Sequence, residues 1–371
     1  MAKFLLAGGG TAGHVNPLLA TAEELISRGH DVAVLGTAEG LEAELIPRAG
    51  LQMFVVPRVP FPRRPSISAV RFPFRLRAAV RAATRAIDAI DADAVVGFGG
   101  YVSTPAYLAA RRRRVPVVVH EGNAKPGLAN RLGARRAAAV AVTFKGTPLP
   151  GAIHTGLPLR RAITDLAARL SDPVAGPDAR RVARAAWGWP EDAPTLLVTG
   201  GSTGAASLNS AVAEAIETLV AHGVHVLHIT GRGKADGAER AWGNLPARMR
   251  GQYVVREYVH DMDTAFAVAD AVVCRAGAGM VCEVTALGIP AVYVPLPHGN
   301  GEQALNAREA VEAGAAHILN DADLTPMSLE LTAEPLVLDR KVQEFARAAA
   351  AGVGIVDGAA RVASVVEGVA A

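Results

Sequence analysis

Lys3-Phe4-Leu5-Leu6-Ala7-Gly8-Gly9-Gly10-Thr11-Ala12-Gly13-His14 passes from a short apolar run into glycines. A helical pattern follows, Val15–Arg28, with Leu18, Leu19, Ala22, Leu25 and Ile26 on one face. Apolar strand, glycine turn and helix in that order open a nucleotide-binding α/β unit. The order returns at Thr195–Thr199, Gly200-Gly201-Ser202-Thr203-Gly204 and the helix Ser207–Ala221. Around these openings, apolar strands at Asp31–Leu35, Gln52–Val56, Ala94–Phe98, Val115–His120 and Ala138–Thr143, then Val224–Ile229, Tyr253–Val255, Ala271–Cys274 and Ala291–Val294, alternate with helical stretches. Such alternation predicts an α/β protein: two Rossmann-like domains in tandem, each a parallel sheet with helices on both faces. Ser171–Pro194, rich in Pro, Asp and Arg, reads as an excursion between the domains. The last helix, roughly Ala359–Val369, is expected to cross back onto the first domain. The expected limits are residues 1–160, 161–348 and 349–371.

The chain of 371 residues, 50% hydrophobic, has ample material for two cores. No run of ~18 apolar residues suggests a membrane span, and the first apolar run, passing straight into glycines, is not expected to be a secretory signal. Two cysteines exclude a disulfide scaffold and favour a reducing, cytoplasmic setting. The charge is asymmetric: residues 1–160 hold 21 Lys and Arg against 10 Asp and Glu, the remainder 17 against 25. A basic first half suits a phosphorylated substrate, anionic lipid or nucleic acid.

Gly8, Gly10 and Gly13 satisfy the dinucleotide fingerprint, but the second strand ends Leu35-Gly36-Thr37, with no acid to hold a ribose. Asp31 stands at the starting end of that strand, on the wrong side of the sheet, so a nicotinamide site is disfavoured. A further glycine turn, Gly97-Phe98-Gly99-Gly100-Tyr101, follows another buried strand. Several phosphate-ready turns at strand ends suit diphosphate ligands; a tight turn without ligand is the alternative for any one of them.

His14, at a helix start, is a candidate general base, or a histidine that merely bonds the turn. His120-Glu121-Gly122-Asn123 closes a strand and is read as a hydroxyl-binding or base-supplying cluster, or as a helix cap. Glu283, one turn into a helix after Arg275-Ala276-Gly277-Ala278-Gly279, suits a ribose diol; the alternative is a surface acid favoured by the helix dipole. Gln303 and Asn306 share a helix face that could read sugar hydroxyls. No zinc set, paired acids, P-loop lysine or nucleophile elbow is present, so no metal and no cofactor are expected. Leu45–Ile87 contains no acid, and within it Arg58, Arg63, Arg64, Arg71, Arg75, Arg77, Arg81 and Arg85 are interleaved with Phe61, Ile67, Val70, Phe72, Phe74, Leu76 and Val80. Prolines make its first part irregular, and Phe74 onward reads as a basic amphipathic helix for an anionic membrane surface.

Gly8–Pro17, Gly97–Ser103, His120–Asn123, Gly200–Ser202, Arg275–Glu283 and Gln303–Asn306, in this order and over essentially the whole chain, resemble the MurG family of peptidoglycan N-acetylglucosaminyltransferases. The resemblance implies the GT-B architecture, two Rossmann-like domains with a deep interdomain cleft. It implies an inverting transfer of N-acetylglucosamine from UDP-N-acetylglucosamine to the 4-hydroxyl of N-acetylmuramate in lipid I, giving lipid II. The second domain would bind the donor and the first the acceptor, peripherally on the cytoplasmic face of the bacterial inner membrane. The expected partners are the donor, lipid I and anionic inner-membrane lipids, and no nucleic acid. The donor residues it implies are Thr11, Gly13, Arg160, Ser202, Val259, Met280, Glu283, Gln303 and Asn306. Those implied for the acceptor are Thr11, His14, Tyr101, Glu121, Asn123 and Asn130. His14 is the first choice of base and Glu121 the second. Gly122 departs from a frequent Gln, Thr203 from Gln, Met280 from Thr, Glu302 from Gln and Leu157 from Asn. A GT-B epimerase acting on UDP-N-acetylglucosamine and a noncatalytic nucleotide or nucleic-acid module are the other readings.

Overall fold

In a computed structural model, which describes residues 1–61, 67–201, 204–298 and 300–370, the opening run Lys3–Gly8 is strand β1. Alternate residues of a strand face opposite sides. Phe4 and Leu6 enter one apolar cluster with Leu18, Leu25 and Val34, while Leu5 and Ala7 enter another with Leu35, Val80 and Val102. Both faces are therefore covered, which is why β1 is apolar throughout rather than alternating. Phe4, Leu5 and Leu6 have no exposed surface, and burial of each such side chain contributes about 1.5–3 kcal/mol.

Two compact units are formed, Met1–Arg160 with Asp357–Ala371, and Arg161–Val356. The first contains β1, β2 (Asp31–Gly36), β3 (Gln52–Val55), β4 (Ala94–Gly99), β5 (Val117–Glu121), β6 (Ala139–Val142) and β7 (Ala152–His154). Its helices are α1 (Ala12–Ser27), α2 (Leu41–Arg48), α3 (Ile67–Ile90), α4 (Gly100–Arg113), α5 (Leu128–Ala134) and, from the chain end, α15 (Gly358–Ala370). The second unit contains β8 (Thr195–Thr199), β9 (His225–Ile229), β10 (Tyr253–Arg256), β11 (Ala271–Cys274), β12 (Ala291–Tyr293) and β13 (Ala316–Ile318). Its helices are α6 (Arg161–Ser171), α7 (Ala175–Ala186), α8 (Ala206–Ala221), α9 (Asp236–Asn244), α10 (Met262–Val268), α11 (Ala278–Ala286), α12 (Glu302–Glu312), α13 (Pro326–Leu338) and α14 (Arg340–Val353).

The strand order is β3-β2-β1-β4-β5-β6-β7 in one sheet and β10-β9-β8-β11-β12-β13 in the other. The strand pairs are parallel, with Leu5 opposite Ala33 and Val95 in the first sheet. In each sheet the order reverses beside the first strand, between β1 and β4 and between β8 and β11. Ligands of open α/β sheets bind at this reversal, beyond the carboxyl ends of the strands.

Three expectations need correction. Ser171–Pro194 is not an excursion, because α7 occupies its middle and belongs to the second unit. Asp172 Oδ1 accepts the Val174 and Ala175 N–H groups, both at 2.8 Å, so its Pro-Asp composition is that of a helix start. Helix α3 begins at Ile67 and carries Pro73 inside it; a proline removes one backbone bond without always ending a helix. Residues 349–353 complete α14, and only Asp357 onward lies in the first unit. There α15 places Val362, Ala363 and Val366 in the Phe4–Leu18 cluster. Glu367 on α15 pairs with Arg28 at 2.7 Å and with His30 at 2.8 Å. Although α14 and α15 are consecutive and apolar, they have 14 and 13 residues, each shorter than the ~20 needed to cross a bilayer.

Candidate active site

At the reversal of the first sheet, Thr11 is the extended N-cap of α1 and His14 lies in the first helical turn. The His14 ring places Nδ1 3.1 Å from the Gly9 carbonyl oxygen and 3.1 Å from Thr11 Oγ1. A carbonyl only accepts, so this arrangement assigns the proton to Nδ1 and the lone pair to Nε2. Nε2 lies over Gly99, where a Cβ would come within 3.0 Å of it. Gly99 and Gly100 have φ of +101° and +78°, and a Cβ on Gly100 would strike the Gly9 carbonyl oxygen. Burial holds His14 below the ordinary 6.5, against the upward pull of the Gly9 hydrogen bond and of the Glu121 and Glu42 charges. The imidazole is therefore neutral near pH 7, with Nε2 able to take a proton.

His120 is buried beside Phe98, its ring 5.4 Å away, and burial pushes its pKa down to about 4. Glu121 is buried with both oxygens engaged. Oε1 accepts the Asn123 N–H at 2.9 Å, and Oε2 accepts the Gly127 N–H at 2.9 Å and Asn130 Nδ2 at 3.0 Å. Asn130 is also buried; it donates to the His120 carbonyl and accepts from Tyr107 Oη at 2.8 Å. These bonds make Glu121 and Asn130 the frame of the 122–127 loop. Exposed beside them are Thr11, Gly13 and Tyr101, with the Arg58 guanidinium 5.3 Å from the Tyr101 ring centroid. Asn123 is half-buried at the loop start. Gly122 and Leu157 are neighbours: a Cβ on Gly122 would sit 3.7 Å from Leu157 Cδ1.

At the reversal of the second sheet, the Gly200–Gly204 turn follows β8. Gly201 and Gly204 have φ of +79° and +65°, and the Gly201 N–H donates to Thr199 Oγ1 at 3.2 Å. Ser202 and Thr203 lie outside the described residues. Across the reversal, β11 ends at Cys274, and the turn Arg275–Gly277 leads into α11, which carries half-buried Met280 and Glu283. Arg275 bonds Asp321 and Ser207, fixing this turn against α8. Asn306 is buried and donates to the Ala276 carbonyl at 3.3 Å, while Gln303 Oε1 accepts the Leu296 N–H at 2.9 Å. Val259 lies in the loop after β10, next to Tyr258, over which Arg232 stacks at 4.5 Å. Arg160 is the last residue of the first unit's long segment. Each predicted donor residue from Val259 to Asn306 thus belongs to the carboxyl-end side of the second sheet. Among the described residues no three His, Cys, Asp or Glu side chains gather to hold a metal ion.

Sequence reasoning missed Glu42. No acid stands at the end of β2, where Thr37 follows Gly36. Glu42 stands on α2, folds back onto the first glycine turn, and is buried. The polar run Thr37–Glu42, in the place where a ribose-binding acid is usual, was the signal available.

Two family models match the chain: the glycosyltransferase family 28 N-terminal domain over residues 4–142, and the family 28 C-terminal domain over residues 195–362. A protein of Clavibacter sepedonicus named UDP-N-acetylglucosamine--N-acetylmuramyl-(pentapeptide) pyrophosphoryl-undecaprenol N-acetylglucosamine transferase is 52% identical, covering 99% of this chain and 96% of its own. A protein of the same name from Paenarthrobacter aurescens is 50% identical over 93% of this chain and 90% of its own. The crystal structure of Acinetobacter baumannii MurG is similar with a TM-score of 0.75 and 27% identity, covering 99% of this chain and all of that one.

Proposed function

The chain belongs to glycosyltransferase family 28, and from that membership we infer that it transfers N-acetylglucosamine from UDP-N-acetylglucosamine to lipid I, forming lipid II for peptidoglycan. The observation that carries this reading is identity of about one half, over nearly the full length, to relatives bearing that activity as their name. The acceptor's 4-hydroxyl oxygen attacks C1 of the donor sugar while the C1–O bond to UDP breaks, with inversion. His14 Nε2 takes the hydroxyl proton, and UDP departs with the bonding electrons. Support for His14 over Glu121 comes from geometry, since both Glu121 oxygens already accept protein hydrogen bonds. The helix N-termini of α8 and α11, with Arg160, are suited to receive the diphosphate charge. Glu283 is suited to the ribose diol, Val259 to uracil, and Met280, Gln303 and Asn306 to the donor sugar and its turn. Tyr101, Asn123 and Thr11 are the acceptor contacts.

The enzyme works at the cytoplasmic membrane surface, held by the amino end of α3. Phe74 and Phe61 are 75% and 61% exposed there, among the exposed Arg58, Arg71, Arg75 and Arg77.

UDP release from UDP-N-acetylglucosamine, measured with and without a lipid I analogue, tests the function. Release that requires the acceptor and yields the disaccharide supports it; formation of N-acetylmannosamine without acceptor would replace it by epimerisation. The transfer is expected to proceed in EDTA at its full rate, because helix termini and arginine, rather than a bound cation, meet the leaving group. Loss of activity in EDTA with recovery in Mg²⁺ would refute that part.

A further inference from the structure

Glu42 has no exposed surface, and no cation pairs with it among the described residues. A buried carboxylate in that state is costly unless several donors meet it. Its Oε2 accepts the Gly10 N–H at 2.9 Å, and its Oε1 accepts Thr37 Oγ1 at 2.6 Å and the Thr37 N–H at 3.3 Å. Glycines leave the room it occupies: a Cβ on Gly9 or Gly40 would collide with the carboxylate, and one on Gly36 would lie 3.1 Å from Glu42 Cγ. The first glycine turn is thus closed around the protein's own anion, and the Gly10 N–H is not open to a phosphate.

The Gly10 N–H and the Gly9 carbonyl are the two ends of one peptide group. Glu42 holds the N–H end at 2.9 Å, and His14 Nδ1 meets the carbonyl end at 3.1 Å. A carboxylate on the N–H side polarises the peptide and makes its oxygen a stronger acceptor. We propose that Glu42 is the positioning residue for His14, acting through the Gly9–Gly10 peptide group to keep the proton on Nδ1 and to steady the imidazolium formed when Nε2 takes the acceptor proton. The role is the one an aspartate plays in direct contact with a catalytic histidine, relayed here by a peptide. It rests on the reading of His14 as the base.

The ionisable groups acting on His14 are Glu42 on α2 and, from β5, Glu121 and His120. His120 is neutral near pH 7, so the two carboxylates supply the favourable charge. Glu42→Gln keeps an oxygen for the Gly10 N–H and removes the charge. The expected result is a fall in kcat of roughly 10- to 100-fold with donor KM unchanged. The acid limb of the rate profile moves to lower pH, as the histidine loses an attracting anion. On the free enzyme, ¹⁵N-NMR titration of His14 should show an Nδ1–H tautomer in the wild type and a lower pKa in the variant. A folded Glu42→Gln protein with wild-type kcat and His14 titration overturns the proposal. Should that variant not fold, an Nε2–H tautomer in the wild type overturns it equally. Wild-type turnover in the same assay separates the two ideas: absent transfer defeats the transferase reading, while the titration tests the Glu42–His14 coupling on its own.

Discussion

Two glycines decide how close His14 comes to its partners. At Gly99 and Gly100 the positive φ and the approach of the histidine ring and the Gly9 carbonyl leave no place for a Cβ. What results is a neutral imidazole of fixed tautomer, and its removal is expected to cost far more in rate than in binding. His14→Ala should lower the single-turnover rate by about 10²–10⁴-fold and leave donor affinity near wild type, as read by isothermal titration with UDP-N-acetylglucosamine. Because burial lowers the His14 pKa, the base form persists below pH 6.5, and the acid limb of kcat/KM should fall there. A limb above 6.5 would assign it to another group. On the donor side, Glu283→Ala should weaken donor binding by roughly 1.5–3 kcal/mol if the carboxylate accepts charge-assisted bonds from the ribose; unchanged affinity would leave Glu283 a surface acid. The strand-end clusters around these residues were legible because turns, strands and helices carry glycine and apolar signatures. The division of labour inside a cluster was not. Glu121 and Asn130 stand in the sequence like the other strand-end polar residues, and only their hydrogen bonds tie them to the 122–127 loop. Pairing in space, which spacing along the chain does not encode, separates a frame from a reagent.

Helix α3 shows the same limit one scale up. Its carboxyl half packs Val80, Ala83, Ala86 and Ile87 on the sheet, as an ordinary surface helix does. Its amino half exposes Phe74, while the half-buried Phe72 packs edge-on against Phe61 at 5.4 Å. Arg63, Arg64 and the prolines at 62 and 65, also read as interfacial, lie outside the described residues. Leu76, which the pattern grouped with the exposed residues, packs partly against the core, so replacing it would confuse binding with stability. Phe61→Ser with Phe74→Ser is the cleaner change. It should weaken co-sedimentation with vesicles containing phosphatidylglycerol or cardiolipin while leaving the melting temperature in solution close to wild type. Equal retention by the double variant would remove this site. Periodicity alone does not tell the buried half of such a helix from the exposed one: Val80, grouped with the interfacial residues, lies in the core. The stretch 171–194 was misread for a related reason: Pro and Asp mark both loops and helix starts, and Asp172 serves the latter.

At the scale of the whole chain, the two sheets share one strand order relative to their first strands, which the repeated strand–glycine–helix opening had announced. Edge strands β7 and β13, three residues each, are too short to show alternation and went unseen. The return of α15 is held by apolar packing and by Glu367. The His30 hydrogen bond, together with Arg28, outweighs the opposing effect of burial and holds the Glu367 carboxyl below its usual range. A lowered carboxylate pKa adds stability above the unfolded value of ~4.3, and that contribution disappears as pH falls through the folded value. Hydrogen exchange in α15 should therefore accelerate below about pH 4 before the central strands do. A Glu367→Gln variant should lack that step, and an identical profile in the variant would show that the packing alone holds the helix.

The same helix has a consequence for how the molecule is made. A ribosome finishes residue 160 long before it reaches residue 357, and at ~5–20 residues per second the intervening ~200 residues take roughly 10–40 s. Throughout that interval the nascent first sheet lacks α15, and the flank formed by Phe4, Leu18 and Leu25 is without Val362, Ala363 and Val366. The second unit, a continuous segment, is complete before the first receives its last piece. Biogenesis thus runs against reading order: the half translated first is the half sealed last, and its oily flank is the surface a chaperone has longest to hold.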